Sequence, residues 1–326
     1  MKTTAKAPAN IAFIKYWGRK NEKLRLPANN SISMNLSNVF TITTVDSPED
    51  LKQDEIEMVG ETLDKKEKER IVAHLDRIRT FAKINTFFKV KTRNNFPKGT
   101  GIASSASGFA ALTLAVTVAV GLKLNQKQLS ILARQGSGSA CRSIPDGFVE
   151  WKAGNSSETS YAYSLYLPDW WNLRDIIVIV GEASKKISSS EGHVLTESSP
   201  FYRQRILDMN SKIQEIKEIF KKKDFRKFGQ ILEKEAVNMH AVMMTSSPPL
   251  FYWSPETLKI ILAVQNWREE GLLVYFTIDA GPNVHLICLG KEEKRMVEQL
   301  KKINKDFKLI INKPARGAHL LKAHLF

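Results

Sequence analysis

The 326-residue chain predicts an α+β fold in two lobes. Three observations point there. The length exceeds the roughly 150 residues expected of one domain. Strand-like and helix-like stretches are mixed without strict β–α–β alternation. A β-branched core strand, "DIIVIVG" (Asp175 to Gly181), stands mid-chain and marks a lobe boundary near Ile176 to Ala183. Residues 1–180 and 181–326 are the expected lobes.

The elements follow in order. "FTITTVDS" (Phe40 to Ser47) alternates apolar and polar residues, as a half-buried strand does. "INTFFKVKTRNNF" (Ile84 to Phe96) holds another strand, stopped by Pro97. The apolar stretch from Ala106 to Leu122 reads as a helix buried on most sides. "NQKQLSILARQGSG" (Asn125 to Gly138) is an amphipathic helix, with Asn125 as N-cap and Gly136 near its end. Helical periodicity covers Phe201 to Met244, broken near Lys223 and Asp224. "LLVYFTIDAG" (Leu272 to Gly281) and "VHLICLG" (Val284 to Gly290) are strands around a tight turn at Gly281-Pro282-Asn283. A helix from Glu292 to Ile303 and a strand from Phe307 to Asn312 close the set.

Composition narrows the function classes. Hydrophobic residues make up 43% and charged residues 25%, as in ordinary soluble proteins. No apolar run reaches the roughly 18 residues of a membrane helix, and no signal segment follows Met1. A cytoplasmic protein without a membrane partner is expected. Cys141 and Cys288 lie outside any ligand spacing and read as reduced structural residues. The net charge of +15 suits nucleic acid, anionic membranes or polyanionic small substrates. In "FKKKDFRKF" and "KEEKRMVEQLKK" acids interleave with the bases, which describes solvated helix faces. The basic residues show no repeated interleaving with aromatics, which argues against nucleic acid.

Four stretches carry chemistry. In "NNFPKGTGIASSASGFAAL" (Asn94 to Leu112) a turn with Gly99 and Gly101 leads to Ser104 and Ser105 at the first helical positions. Free N–H groups at a helix N-terminus attract anions, glycines allow close approach, and serine hydroxyls bind phosphate or its magnesium. A plain serine N-cap is the simpler reading of the same residues. "GSGSACRS" (Gly136 to Ser143) sets Arg142 among small residues, where a guanidinium fork suits phosphate or carboxylate. In "NIAFIKYWGRK" (Asn10 to Lys20) Lys15 either snorkels from an apolar run or meets a buried anion. "TIDAGPN" (Thr277 to Asn283) places Asp279 at a strand end, as a turn residue or as a rigidly held carboxylate.

Taken together, "APANIAFIKYWG", "NNFPKGTGIASSASGFAAL", "ARQGSGSACRS", "SSPPLFYW" and "TIDAGPN" occur in an order that resembles the diphosphomevalonate decarboxylases. These belong to the galactokinase, homoserine kinase, mevalonate kinase and phosphomevalonate kinase superfamily. The resemblance runs from Ala7 to Asn283. It implies a ribosomal protein S5 domain 2-like N-terminal lobe and a ferredoxin-like C-terminal lobe. It also implies a homodimer using ATP and Mg2+ to convert mevalonate 5-diphosphate to isopentenyl diphosphate, through phosphorylation of the 3-hydroxyl.

By that resemblance, Asp279 is the base or orienting group beside the 3-hydroxyl. Arg142 holds the substrate carboxylate, and Lys15 lies near the transferring phosphoryl group. Asn10 lines the same site. Tyr16, Arg19, Ser137 and Ser139 contact the diphosphate, with Arg77 a further arginine for it. Ser189 and Ser190 match a hydroxyl pair near the substrate. The ATP loop comprises Lys98, Gly99, Thr100, Gly101, Ala103, Ser104, Ser105 and Ser107, with Ser105 as a magnesium ligand.

The chain departs from the family at Lys98-Gly99-Thr100, at Asp146-Gly147, and at "PARGAHLL" (Pro314 to Leu321). Lys98 either adds a cation to the ATP phosphates or is exposed; Asp146 assists magnesium or caps a turn; Arg316 is a candidate anion contact. A related decarboxylase acting on the 5-monophosphate would use the same Asp–Lys–Arg set. Mevalonate 3-kinases, which lack parts of that set, fit less well. A basic nucleic-acid-binding protein is the reading from another class.

Overall fold

The structure is a computed structural model, and it describes residues 1–96, 104–181 and 187–326. The first sheet begins with β1 (Thr3–Ile14); β2 (Arg19–Asn21) and β3 (Leu26–Pro27) form a separate small ribbon, and β4 (Ser31–Asp46) returns along β1. Then come β5 (Glu55–Met58), α1 (Lys65–Ala82), β6 (Lys89–Asn94), α2 (Ser104–Ala119) and α3 (Gln126–Gly136). A 3-10 turn at Gly138–Ser143 leads to β7 (Phe148–Trp151) and β8 (Ala162–Tyr166).

The second half has β9 (Leu173–Ile179), α4 (Ser189–Gly192), α5 (Tyr202–Lys222), α6 (Phe225–Met244) and α7 (Pro255–Glu269). It closes with β10 (Val274–Thr277), β11 (Val284–Leu289), α8 (Glu293–Ile303), β12 (Lys308–Asn312) and β13 (His319–Leu321).

The larger sheet has the order β13-β1-β4-β6-β5, with β7 joining β4 and β8 joining β7. Helices α1, α2 and α3 cover one part of it through a core of Ala5, Ala7, Leu75, Ile78, Phe109 and Leu132. The smaller sheet has the order β10-β11-β9-β12, all antiparallel. Numbered within its lobe that order is 2-3-1-4, the ferredoxin-like arrangement. Strand β9 lies before residue 180 yet belongs to this second sheet, while the late strand β13 returns to the first.

Strand β1 explains how the lobes are joined. Its register against β4 slips between Pro8 and Asn10 and again before Ile14. Ala5 and Ala7 lie under the helices, but Ala9, Ile11 and Phe13 enter a second core with α5, α6 and the smaller sheet. Irregular register re-aims side chains, and here it accompanies an Asn10 side chain turned toward Arg142 and Ser143.

Local signals set most boundaries. Asn125 caps α3 by a capping box with Gln128, as the sequence predicts. Lys223 takes the left-handed conformation and Asp224 caps α6, so the helical stretch breaks where expected. Strand β10 stops at Thr277, leaving Asp279 on the turn rather than on the strand. The longest elements with no counterpart in the sequence reading are β1, α1 and α7, and the short strands β2, β3, β5, β7, β8 and β13 and the short helix α4 have none either. Helix α1 carries its own capping box, Asp64 with Glu67.

Candidate active site

The site is assembled where the end of β1 meets the turn after β10. Lys15 follows the last residue of β1 and is only 1% exposed. Its ammonium donates to Asp279 Oδ1 at 2.5 Å. Asp279 keeps 28% of its side chain accessible, so one face of the carboxylate opens to the cleft.

Arg142, from the 3-10 turn, donates through Nε to Asn10 Oδ1 (3.1 Å) and through a terminal nitrogen to Ser31 Oγ (2.7 Å). Asn10 in turn donates to Ser143 Oγ and to the Ser139 carbonyl. Neither bond of Arg142 is to a carboxylate, so this buried guanidinium is held in place with its charge only partly matched.

Charge tunes the pair. Burial works to raise the Asp279 pKa, but Lys15, its hydrogen bond, His285 and Arg142 together bring it below the usual aspartate value. Burial pulls Lys15 below the ordinary lysine range, against the opposing pull of Asp279 and Glu235.

A second group lies beside Tyr16. Its hydroxyl accepts from Arg19 Nε at 2.7 Å, and its ring packs against Trp151 and His193 at 4.6 and 4.2 Å. Gly138 lets that ring approach: a Cβ there would sit 2.8 Å from two Tyr16 atoms. Ser137 Oγ is 3.1 Å from Ser105 Oγ, which brings the start of α2 to the same wall.

Arg77, on α1, lies within electrostatic reach of Arg25 and His74. Burial and then Arg19, Arg70 and Arg77 push Arg25 down to about 10, the mark of cations gathered in one recess. Arg70 Nε is buried without a partner. Burial, then Arg77 and Arg25, lower His74 to about 3, so this histidine stays neutral there.

The expected residues are not all alike. Ser104 and Ser105 are partly exposed at the start of α2. Ser107 is fully buried, and its hydroxyl bonds Thr41 Oγ1 at 2.7 Å, so it links helix to sheet. Ser189 and Ser190 start α4, whose Gly192 abuts the Trp17 ring. Lys98, Gly99, Thr100, Gly101 and Ala103 lie outside the described residues. Asp146 accepts from the Gly317 N–H at 2.7 Å, which is the turn-capping role, and Arg316 is exposed.

Sequence reasoning missed Arg25, Arg70, His193, Glu235 and Arg205. For Arg70 a signal existed: with His74 and Arg77 it repeats at i, i+4 and i+7, one stripe of a helix. His193, Glu235 and Arg205 meet the site through long-range contacts, whereas Arg25 lies close in sequence to Tyr16 and Arg19.

Magnesium fits the donors present in one way. Among the described residues no three His, Cys, Asp or Glu side chains are grouped to hold a metal. Magnesium favours oxygen ligands, keeps waters and is commonly carried by substrate phosphates. The partly exposed hydroxyls of Ser104 and Ser105 suit that mode.

A serine-bearing helix start, a cationic recess and a buried lysine–aspartate pair, spread over these two sheets, define an enzyme of the galactokinase, homoserine kinase, mevalonate kinase and phosphomevalonate kinase superfamily. Comparison with known proteins narrows the class. Residues 7–162 match the diphosphomevalonate decarboxylase-like N-terminal domain, and residues 175–319 match the mevalonate 5-diphosphate decarboxylase C-terminal domain. The diphosphomevalonate decarboxylase of Debaryomyces hansenii is 35% identical over 316 residues, covering 90% of this chain and 81% of that one. A solved mevalonate diphosphate decarboxylase from Staphylococcus aureus superposes with a TM-score of 0.93 at 38% identity, covering 98% of each chain. A solved complex with MVAPP, AMPPCP and magnesium gives 0.94 at 37% identity, covering 99% of each. The chain belongs to the diphosphomevalonate decarboxylase family.

Proposed function

We infer that this protein uses ATP to convert mevalonate 5-diphosphate to isopentenyl diphosphate, carbon dioxide, ADP and phosphate. The observation that carries this reading is the 2.5 Å Lys15–Asp279 pair, with Arg142 in electrostatic reach, next to the arginine recess. The γ-phosphoryl group of ATP is transferred to the 3-hydroxyl. The new 3-phosphate then leaves with the C–O electron pair. The bond to the carboxylate carbon breaks, its electrons form the alkene, and carbon dioxide departs.

Asp279 suits orientation better than strong proton abstraction. A carboxylate held below its usual pKa is a weak base. Phosphoryl transfer through a loose transition state asks for little bond formation to the nucleophile, so its proton can leave late. Asp279 therefore aligns the hydroxyl and receives the proton as the oxygen–phosphorus bond forms. Lys15 balances the charge of Asp279 and of the transferring group. Arg142, fixed by Asn10 and Ser31, faces the substrate carboxylate.

Tyr16, Arg19, Ser137 and Ser139, with Arg25, Arg70 and Arg77, form the diphosphate end. Ser189 and Ser190, on the helix against Trp17, border the substrate. The ATP phosphates lie at the start of α2, in the segment from Lys98 to Ser105. Magnesium, when bound there, offsets phosphate charge beside the Ser105 hydroxyl. The adenosine end enters a cavity of about 150 Å³ lined by Thr43, Met58, Ile71, Thr92, Asn94 and Phe109.

Four arginines favour a diphosphate over a monophosphate. Each charge-assisted hydrogen bond lost is worth about 1.5–3 kcal/mol, so kcat/KM should drop about 10²-fold on the 5-monophosphate. Parallel assays on mevalonate, its 5-phosphate and its 5-diphosphate test this. Equal or faster turnover of the monophosphate contradicts it.

The two lobes of the site divide before β9 rather than at residue 180, because β9 pairs within the second sheet, and β13 returns to the first. The protein is a cytoplasmic homodimer in this reading. Unpaired buried Cys141 and Cys288 suit a reducing compartment, and the dimer follows the family resemblance. Among the described residues no helix is long and apolar enough to cross a membrane.

A further inference from the structure

We propose that Glu235, paired with Arg205, is a positioning residue for Lys15: it fixes the backbone that carries the reactive ammonium and sets a second negative charge behind it. The proposal rests on Lys15 acting in the reaction as described above.

The contacts converge on the backbone of one residue, Lys15. The Lys15 N–H donates to Glu235 Oε1 at 3.1 Å. The Lys15 carbonyl accepts from Asn29 Nδ2 at 2.9 Å and from an Arg205 terminal nitrogen at 3.4 Å. Glu235 and Arg205 form an ion pair in which both side chains are 0% exposed. Lys212 Nζ reaches the other Glu235 oxygen at 3.1 Å, and Arg205 also donates to Asn238. Helices α5 and α6 thus clamp the residue after β1 from behind, while Asp279 meets its ammonium in front.

A purely structural clamp does not need this charge. Withdrawing an ion from water costs several kcal/mol even after relaxation, and a neutral acceptor would satisfy the same N–H. A negative charge beside a buried ammonium has a separate effect, since an opposite charge favours the protonated form. The groups facing Lys15 can be counted. Asp279 on the turn and Glu235 on α6 favour the charged lysine. Burial and Arg142 oppose it. His240, also on α6, is lowered to about 3 by burial and then by Lys15, so it adds no charge near neutral pH. Arg205 and Lys212 are cations paired with the two Glu235 oxygens, and Arg205 also reaches the Lys15 carbonyl. Asp279 and Glu235 are the two carboxylates that offset the desolvation of Lys15.

The test compares full-length wild type, Lys15→Met, Glu235→Gln and Glu235→Gln/Arg205→Met with ATP and mevalonate 5-diphosphate. The double variant removes both members of the buried pair, so no uncompensated Arg205 charge remains. We expect kcat to fall about 10-fold or more in both Glu235 variants with KM nearly unchanged, because small misplacement of a reacting group acts on the transition state. In Glu235→Gln the alkaline limb of the kcat–pH profile should move down by about half a unit or more, because Lys15 then loses its proton more easily. A folded double variant with wild-type kcat, together with an unmoved limb in Glu235→Gln, would overturn the proposal and leave Glu235 a structural anchor. Full activity in Lys15→Met would instead overturn the role of Lys15 itself, so the two failures are told apart.

Discussion

Asp279 and Lys15 form a pair in which each partner alters what the other can do. The lysine holds the carboxylate ionised, and the carboxylate offsets the cost of burying the lysine. Asp279→Asn keeps the side-chain shape and removes its charge. Turnover should fall about 10²-fold or more, with ATP binding little changed. Because the Asp279 pKa is depressed, its ionised form is present throughout the neutral range. Its contribution is lost only as pH falls through the lowered value, below the usual 3.8. Steady-state rates and a thermal melt on one preparation check this. A folded variant retaining more than about a tenth of turnover would mean that Asp279 only shapes its turn, where asparagine is equally at home. Lys15, Arg142 and Asp279 were legible because each stands inside a short, unusual block of sequence. Glu235 and Arg205 were not: they reach Lys15 across 220 and 190 residues, and on their own helices they look like ordinary surface charges.

Among the elements, the 3-10 turn at Gly138–Ser143 does the most for the site, since it carries Arg142 and backs the Tyr16 ring. Tyr16 is wedged between Trp151 and His193, so it cannot retreat from a new methyl group. Gly138→Ala should therefore displace Tyr16 and Arg19 together. Overpacking of this kind costs typically about 1–3 kcal/mol. KM for mevalonate 5-diphosphate should rise about 10-fold with a smaller change in kcat, the pattern of lost uniform binding. An unchanged KM in a folded variant would detach Tyr16 from the diphosphate end. Capped helices and strands with one wet face were readable, α3 and the Phe40 to Asp46 part of β4 among them. Strand β1 was not, because it is covered on both faces and shows no alternation. Helix α7 was missed although Ser254 and Pro255 announce it, and its apolar residues do not fall on one narrow face.

For the molecule as a whole, the +15 charge has a concrete destination. Arg19, Arg70 and Arg77 lie within electrostatic reach of Arg25, Arg19 also acts on Arg70, and Arg19, Arg25 and Arg142 all act on His193. Both small substrates are polyanions, so the same surplus that holds them also draws them in. The two lobes share a core through β1, α5 and α6, which fixes Lys15 of one relative to Asp279 of the other. That arrangement is the central claim: one cleft performs phosphorylation and fragmentation as a coupled sequence. Measuring ADP, inorganic phosphate and carbon dioxide together from mevalonate 5-diphosphate and ATP tests it most directly. The account predicts equal amounts of all three at every time after the first turnover. ADP formed with a stable 3-phosphorylated product, and without matching carbon dioxide, would contradict it.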